Sequence, residues 1–289
     1  MVNLESFTQS LTEQSNTAIA LTIAGSDSGG GAGIQADLKA FSALGVYGTS
    51  VITAVTAQNT QAVTAVHDIP VDIVTKQIQA VLDDINVSAI KIGMLSSSEI
   101  ILAVSEQLRQ STIPIVLDPV MVAKSGDALL QQSAIESLKT KLLPIAFLLT
   151  PNLPEAATLL QCDVAENEAS MQAQGEALIQ LGAKAVLMKG GHAKGDECVD
   201  LLIVREGPIT RFQSARINTK NTHGTGCTLS SAITAHLAKG IPLMESVQLS
   251  HNYLRQAIAS ADQLHIGKGY GPVHHFHSLW QSNDDKFLN

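Results

Sequence analysis

The chain has 289 residues, of which 45% are hydrophobic and 15% charged, so it is long and apolar enough to bury a large core. Its formal net charge of −8 and the lack of any lysine–arginine cluster argue against a nucleic-acid-binding protein. The three cysteines, Cys162, Cys198 and Cys227, are odd in number and widely spaced, which is typical of reduced thiols in a cytoplasmic protein.

The sequence predicts one domain and no membrane association. No apolar run reaches the ~20 residues that a membrane-spanning helix needs. The polar start of the chain also lacks the charged-then-apolar plan of a secretion signal. Residues 1–16 are predicted to form a polar extension, and residues 17–289 a single domain, because no linker or repeat divides them.

The first predicted element is an apolar strand at residues 18–24, followed by the glycine run 25–33 and a helix at 34–44. The order strand, glycine loop, helix brings a ligand close to the backbone. Residues 31–36 also match the loose dinucleotide pattern G-x-G-x-x-A, which requires an acidic residue about 20 residues further on. Neither Asp nor Glu occurs between Asp37 and Asp68, so a nicotinamide or flavin site is not favoured. A Walker phosphate loop is absent from the sequence.

Strand-like and helical patterns alternate along the rest of the chain. Further strands are predicted at residues 49–57, 89–94, 114–120, 146–150, 185–189, 199–204 and 210–217. Further helices are predicted at residues 71–85, 99–110, 133–142, 155–160, 171–181, 228–237 and 246–263. This alternation indicates a mostly parallel sheet covered by helices on both faces, an α/β fold. The last two strands flank Glu206-Gly207-Pro208, which predicts a hairpin at the sheet edge.

Polar residues are concentrated where the predicted strands end. Gln58 and Asn59 end one strand, Asp118 ends another, and Lys189 ends a third. Ligands of open α/β sheets collect beyond the carboxyl ends of the strands. We therefore expect these residues and the glycine run 25–33 to share one edge of the sheet.

A second glycine turn, Asn-Thr-His-Gly-Thr-Gly-Cys-Thr at residues 221–228, leads directly into an apolar helix pattern. The small residues Gly224, Thr225 and Gly226 allow several backbone N–H groups to point at one place. The free N–H groups and the dipole of the following helix favour an anion there, and phosphate is the obvious candidate. The alternative is a turn that only caps the helix, with Cys227 as a small buried residue. The segment alone leaves both readings open.

Several short motifs follow one another in order between Ala18 and Trp280. They include AGSD at 24–27, GGAGIQAD at 30–37, KIGM at 91–94, DPVM at 118–121, TPNLPEA at 150–156, MKGGH at 188–192, TKNTHGTGC at 219–227 and GPVHHFH at 271–277. In combination they resemble the ribokinase-like superfamily and, within it, the hydroxymethylpyrimidine and phosphomethylpyrimidine kinases of thiamine biosynthesis. Ser28-Gly29 stands where relatives commonly have Pro-Ser, and this leaves the turn glycines in place.

The resemblance implies a three-layer α/β/α kinase that uses ATP and Mg²⁺. Such an enzyme phosphorylates the hydroxymethyl group of 4-amino-5-hydroxymethyl-2-methylpyrimidine and then phosphorylates the resulting monophosphate. It also implies a cytoplasmic homodimer whose partners are small molecules rather than nucleic acid or membrane.

The resemblance further assigns residue roles. The transferring phosphoryl group is expected to lie at Gly224, Thr225, Gly226 and Cys227. ATP is expected at Lys189, Asn152 and Thr222, and the metal at Glu155 and Asp118. The pyrimidine is expected to contact Gly25, Asp37, Gln58, Met94 and Val120. Asp37 and Gln58 would hydrogen-bond the ring, and residues 123–127 would form a flap over ATP.

Each of these assignments has a simpler alternative. Asn152 alone is typical of a helix N-cap, with Glu155 completing a capping box. A lone Asp before Pro, as at Asp118, is usually a turn former. Asp37 alone would be an exposed residue of an amphipathic helix, and Met94 and Val120 ordinary core residues.

Cys227 departs from the wider superfamily, in which an Asp usually follows the Gly-x-Gly and serves as base. A helix N-terminus lowers a thiol pKa, whereas a neighbouring triphosphate raises it. Only the first transfer removes a proton from an alcohol, so we hypothesise that Cys227 matters more for the first transfer than for the second.

The remaining histidines are given structural rather than catalytic roles. His274, His275 and His277 are interpreted as packing residues rather than metal ligands, and His192 and His223 as residues that shape loops.

A pyridoxal or pyridoxine kinase on the same scaffold is the alternative function, because the Cys-containing branch resembles enzymes that accept both ring types. A non-catalytic ligand sensor and a dinucleotide-dependent oxidoreductase are more distant.

Overall fold

The computed structural model describes residues 17–122, 126, 129, 133–191 and 196–280. The predicted N-terminal extension, most of the predicted flap 123–127 and His192 lie outside the described residues. In the part that is described, no helix combines the length and the apolar character needed to cross a membrane.

Nine strands form one sheet in the order β3-β2-β1-β4-β5-β6-β7-β8-β9. The strands are β1 Ile19–Ser26, β2 Tyr47–Gln58, β3 Val63–Asp68, β4 Ala89–Ile92, β5 Ile115–Leu117, β6 Leu148–Leu149, β7 Ala185–Lys189, β8 Glu197–Val204 and β9 Ile209–Ala215. The central strands from β2 to β7 run parallel, and β3, β8 and β9 are antiparallel to their neighbours.

Helices cover both faces of the sheet. They are α1 Gly33–Ala43, α2 Val71–Leu82, α3 Ser98–Leu108, α4 Ala134–Ser137, α5 Leu153–Leu160, α6 Glu168–Gln180, α7 Thr225–Ala238 and α8 Leu243–Ala259. Helices α2 to α6 share one apolar core with the sheet, while α1, α7 and α8 pack on the opposite face. The predicted three-layer α/β/α architecture is confirmed.

The predicted hairpin at the sheet edge is also confirmed. Strands β8 and β9 pair antiparallel from Glu197 with Ala215 to Ile203 with Ile209, and β9 is the terminal strand. Glu206 turns the chain in a left-handed conformation, with φ of 57°. Three antiparallel strands thus extend a parallel sheet at its two ends.

The structure differs from the prediction at two elements. Strand β3 was not expected, because both of its faces are largely exposed and its sequence carries no apolar run. The helix predicted at 133–142 is α-helical only from Ala134 to Ser137 and continues as a π-helical turn from Leu138 to Leu142. Pro144 lies in the 3₁₀ turn Leu143–Ile145 that follows, and it has no N–H with which to continue the helix.

Several helices begin earlier than the apolar pattern indicates, because capping residues precede the first buried position. Helix α5 begins at Leu153 behind Asn152, and α6 begins at Glu168 behind Asn167, each with a capping box. Helix α7 begins at Thr225, so Thr225, Gly226 and Cys227 form its first turn. That shift places the second glycine turn at a helix N-terminus.

Candidate active site

A cavity of about 710 Å³ lies beside the carboxyl ends of the parallel strands. Its wall includes Gly25 from β1, Gln58 from β2, Asp118 after β5 and Lys189 from β7. Every residue that was assigned from the sequence to the phosphoryl group, ATP, the metal or the pyrimidine lines this cavity except Asp37. The expected clustering of polar strand ends at one edge is therefore present.

The two glycine turns meet in this cavity. Gly224 has a left-handed backbone with φ of 80°, and a Cβ added to it would overlap the carbonyl oxygen of Gly31. A Cβ on Gly31 would in turn overlap the ring of His223. Only residues without side chains allow this approach, which brings segments almost 200 residues apart into contact.

Asp27 and His223 join the two turns. The Asp27 carboxylate accepts hydrogen bonds from the backbone N–H groups of Gly29 at 2.8 Å, Gly31 at 3.1 Å and Ala32 at 2.8 Å. His223 Nε2 lies 2.8 Å from Asp27 Oδ2. Burial by itself raises the pKa of Asp27, but the hydrogen bonds from His223, Ala32 and Gly29 hold it below the usual range. The expected loop-shaping role of His223 fits this contact.

The first turn of α7 is open to an anion. Gly224, the N-cap residue, contributes no side-chain cap to the helix. Within the described chain, the N–H groups of Gly226 and Cys227 have no hydrogen-bond acceptor. Free N–H groups and the positive end of the helix dipole together favour a phosphate at this point.

A lysine and a carboxylate lie directly against this turn. Lys189 Nζ is 2.9 Å from Asp118 Oδ1, and a Cβ on Gly226 would lie 3.4 Å from Lys189 Nζ. Burial, the largest single influence, raises the pKa of Asp118 and lowers that of Lys189, but it is outweighed by their mutual attraction together with the charge of Lys91 near Asp118 and of Glu155 near Lys189. The net shift is downward for the Asp118 pKa and upward for the Lys189 pKa, so both groups stay charged.

Asn152 and Glu155 form the capping box that was considered as their alternative reading. Glu155 N–H donates to Asn152 Oδ1 and Asn152 N–H donates to Glu155 Oε2, both at 2.8 Å. Both residues nevertheless line the cavity. Burial raises the pKa of Glu155 to about 7, with Asp118 adding to the rise and Lys189 opposing it. A cation bound here would favour the ionised form of Glu155.

These carboxylates fit a magnesium ion only in part. Among the residues described, no cluster of three or more His, Cys, Asp or Glu side chains is arranged to hold a metal. Mg²⁺ is commonly held by one or two carboxylates together with water and substrate phosphates. Asp118 and Glu155 supply that smaller number beside the anion turn.

The opposite part of the cavity is suited to a small ring. Met94 packs against Gly25, where an added Cβ would lie 3.2 Å from the Met94 sulfur. Gln58 Oε1 accepts from Thr56 at 3.2 Å, and Gln58 Nε2 lies 3.5 Å from His223 Nε2. Val120 completes this side of the wall, and Thr222 lies in the second glycine turn.

The expected role of Asp37 has to be corrected. Its side chain is completely buried behind the cavity wall and accepts hydrogen bonds from Thr22, Ser231 and Lys91. Neither oxygen is available to a ligand in this cavity. Lys91, which the sequence reasoning did not single out, borders the cavity from behind its wall and has no exposed surface. A lysine within an apolar strand was the available signal.

Cys227 is partly buried in the cavity wall. Burial raises the pKa of its thiol to about 11, Lys91 opposes this rise, and Asp37 and Asp118 add to it. The sequence predicted opposing influences of the helix N-terminus and a triphosphate on this pKa; in the structure burial is the largest influence. At neutral pH the thiol is protonated, so its sulfur is a weak base.

The C-terminal histidines make packing contacts. His275 Nε2 lies 3.0 Å from Thr228 Oγ1, and Thr228 Oγ1 donates to the carbonyl of Gly224 at 2.7 Å. Burial lowers the pKa of His275 to about 3, so the ring is neutral. His274 packs edge-on against Trp280, and His277 packs against Tyr253.

Comparison with known proteins agrees with this geometry. The sequence model of a family described as phosphomethylpyrimidine kinase matches residues 27–274. A hydroxymethylpyrimidine/phosphomethylpyrimidine kinase of Rhizobium meliloti is 57% identical over 92% of this chain and 99% of its own length.

Solved structures of two kinases are similar to this chain in sequence and fold. A phosphomethylpyrimidine kinase of Clostridium difficile is 49% identical and has a TM-score of 0.75 over 84% of this chain and all of its own. A pyridoxal kinase of Bacillus subtilis in complex with ADP is 34% identical and has a TM-score of 0.84, covering 92% of this chain and all of its own.

Proposed function

The chain belongs to the phosphomethylpyrimidine kinase family, and from this premise we propose which two reactions its cavity performs. The first transfers the γ-phosphoryl group of ATP to the hydroxymethyl oxygen of 4-amino-5-hydroxymethyl-2-methylpyrimidine. The second transfers another phosphoryl group to the monophosphate, giving the diphosphate. The protein is thus a phosphotransferase of thiamine biosynthesis. The junction of the two glycine turns beside Lys189 and Asp118 is the observation that carries this function.

Each transfer breaks the bond between the γ-phosphorus and its bridging oxygen, and the electron pair stays on ADP. The acceptor oxygen forms the new bond to phosphorus. Phosphoryl transfer asks a protein mainly for positioning and charge neutralisation. The N–H groups of Gly226 and Cys227 would donate to the phosphoryl oxygens, and Lys189, Asn152 and Thr222 would hold ATP at the same edge.

Asp118 and Glu155 would hold a magnesium ion together with the phosphates of ATP. The ion would neutralise phosphate charge when bound. Lys189 already lies 2.9 Å from Asp118, so the lysine and the ion would share this carboxylate beside the anion turn.

Gln58 and Met94 would recognise the pyrimidine ring, with Gly25 and Val120 completing its pocket. The Gln58 amide offers both a donor and an acceptor to the ring nitrogen and the amino group. The first transfer releases the alcohol proton to water, whereas the second begins from a phosphate that is already ionised. A thiol with a pKa of about 11 is a poor acceptor for that proton, which favours a role for the Cys227 N–H over its sulfur.

A pyridoxal kinase on this scaffold is less well supported. The pyrimidine kinase of R. meliloti is 57% identical to this chain, whereas the pyridoxal kinase of B. subtilis is 34% identical. The substrate pocket, rather than the fold, separates the two activities.

We also propose that the protein is a cytoplasmic homodimer. The edge strand β3 exposes Val66, and the adjoining strand β2 exposes Tyr47 and Val55. Exposed apolar side chains on a terminal strand favour pairing with a second copy. The free thiols of Cys162, Cys198 and Cys227 favour a reducing compartment.

The function is tested by incubating the protein with ATP, Mg²⁺ and hydroxymethylpyrimidine and resolving the products by mass. We expect addition of one and then two phosphoryl groups, and loss of both products when EDTA removes the metal. Pyridoxine is the matched competing substrate. A higher kcat/KM for pyridoxine, or no more than one phosphoryl group added to the pyrimidine, would contradict the proposal.

A further inference from the structure

A lysine–aspartate pair lies buried behind the anion turn. Lys91, on the central strand β4, places Nζ 3.0 and 2.9 Å from the two carboxylate oxygens of Asp37 on α1. Both side chains have no exposed surface. Replacing a buried ion pair with apolar residues of similar size is often neutral or stabilising, so folding alone does not explain this pair.

The pair is anchored from three sides. Besides Lys91, Asp37 accepts hydrogen bonds from Thr22 Oγ1 on β1 and Ser231 Oγ on α7, each at 2.6 Å. Space for the ammonium group comes from Gly93, where an added Cβ would lie 2.5 Å from Lys91 Nζ. The position of the ammonium is therefore fixed by its surroundings.

The ammonium group lies beneath the turn that would receive the phosphoryl group. Ser231 follows Cys227 by four residues on α7, so the two side chains are on the same face of the helix, one turn apart. The charged groups that face Cys227 are Asp37 from α1, Lys91 from β4, Asp118 after β5 and Lys189 from β7. Among the charges that shift the pKa of Cys227, that of Lys91 acts most strongly.

Asp37 keeps this charge in place. Burial alone would lower the pKa of Lys91, but the Asp37 carboxylate, followed by Cys227 and Asp118, raises it well above the usual value for lysine. Lys91 also has a third N–H group, for which the described residues provide no acceptor other than Asp37.

We propose that Lys91, anchored by Asp37, is a positioning residue that maintains a fixed positive charge beneath the anion turn and stabilises the phosphoryl group during transfer. It forms no bond to the substrate and moves no proton, because it acts through the field at the first turn of α7. This inference rests on the proposed function for the identity of the anion. The positive potential itself can be measured without any kinase activity.

The potential is measured by the rate at which iodoacetamide alkylates Cys227, followed by mass spectrometry of the Cys227 peptide at pH 9. A thiolate is the reacting form, so one unit of thiol pKa changes the rate about tenfold. We expect alkylation about tenfold slower in Lys91→Met and faster than wild type in Asp37→Asn. Loss of packing alone would expose Cys227 and accelerate its alkylation in both variants.

Two further variants separate charge from folding. Lys91→Met leaves Asp37 buried without its counter-ion, so the double variant Asp37→Asn/Lys91→Met is measured beside it. Its rate is expected between those of the two single variants. Thr22→Val removes one hydrogen bond from Asp37 but keeps both charges, and its alkylation rate should stay within about twofold of wild type.

Activity gives the second readout. We expect Lys91→Met to lower kcat by about tenfold or more while KM for the pyrimidine stays within about twofold. Changes of alkylation rate in the same direction in Lys91→Met and Asp37→Asn would overturn the inference, as would an unchanged kcat in Lys91→Met. If wild-type protein fails to phosphorylate the pyrimidine, the proposed function fails, while the alkylation rates still decide whether the charge is there.

Discussion

At the scale of single residues, the cavity is a set of charges held in matched pairs. Lys189 pairs with Asp118 at the cavity wall, and Lys91 pairs with Asp37 behind it. Glu155 has a backbone hydrogen bond but no cation within ion-pair distance among the described residues. The burial of these groups makes each charge more effective than it would be in water, and makes removal of one partner costly.

Lys189→Met should lower kcat by about 100- to 1,000-fold, the usual cost of removing one preorganised donor from a transferring group. Lys184→Met is the matched control, because Lys184 is exposed and precedes the same strand at its opposite end. Steady-state kinetics of both variants, with circular dichroism to check folding, measure the difference. Equal losses in the two variants would remove Lys189 from the site.

Cys227→Ala keeps the backbone N–H and removes only the sulfur. Because a thiol with a pKa of about 11 is protonated at neutral pH, we expect the first transfer to fall by less than about 100-fold. The second transfer should fall by less than the first, since its acceptor is already an anion. Separate rates for the alcohol and the monophosphate measure this, and equal losses would refute the asymmetry.

At the scale of elements, the site depends on two turns that approach each other through glycines. Helix α7 starts at Thr225, and Gly224 precedes it in a left-handed conformation against Gly31. The Asp27 carboxylate accepts a hydrogen bond from the backbone of the first turn and lies within hydrogen-bond distance of His223 in the second. A small displacement of either turn would move the N–H groups of α7 away from the phosphoryl group.

Gly224→Ala should therefore reduce both stability and activity. A left-handed alanine costs about 1–2 kcal/mol, and here its Cβ also overlaps the carbonyl oxygen of Gly31. Gly240→Ala is the control, because Gly240 has φ of 77° but open space around its Cβ. Thermal unfolding should show a larger loss for Gly224→Ala, and kcat/KM should fall only in that variant. Equal losses of stability would mean that the contact with Gly31 is unimportant.

At the scale of the whole molecule, the sheet ends differently at its two edges. Phe212 of β9 is buried and belongs to the apolar core. Strand β3 instead has both faces largely exposed, and it pairs with the part of β2 that contains the exposed Val55. An edge strand with exposed apolar residues invites pairing with another chain.

Val66→Lys should shift the protein from dimer to monomer, because it places a charge on the terminal strand β3. Val164→Lys is the control, since Val164 is similarly exposed but lies between α5 and α6. Sedimentation velocity at matched concentrations measures the mass of both variants. A monomeric wild type, or a dimer unaffected by Val66→Lys, would contradict the proposed interface.

The alternation of apolar runs with helical patterns was sufficient to predict the layered fold and most element positions. That succeeded because buried parallel strands and amphipathic helices each leave a periodic mark on the sequence. Strand β3 left no such mark, since neither of its faces is buried. The candidate site residues were predicted from motifs and from their positions at strand ends, and all of them except Asp37 line the cavity.

Only the tertiary structure decided how the charged residues are partnered. Asp37 reaches Lys91 across 54 positions of sequence, and Asp27 reaches His223 across 196. Local patterns carry no information about such pairs, because burial and charge neutralisation are set by the packing of distant elements. For the same reason, the sequence indicated opposing influences on the pKa of Cys227, from its helix and from a neighbouring triphosphate, but not the burial in the assembled cavity that raises it.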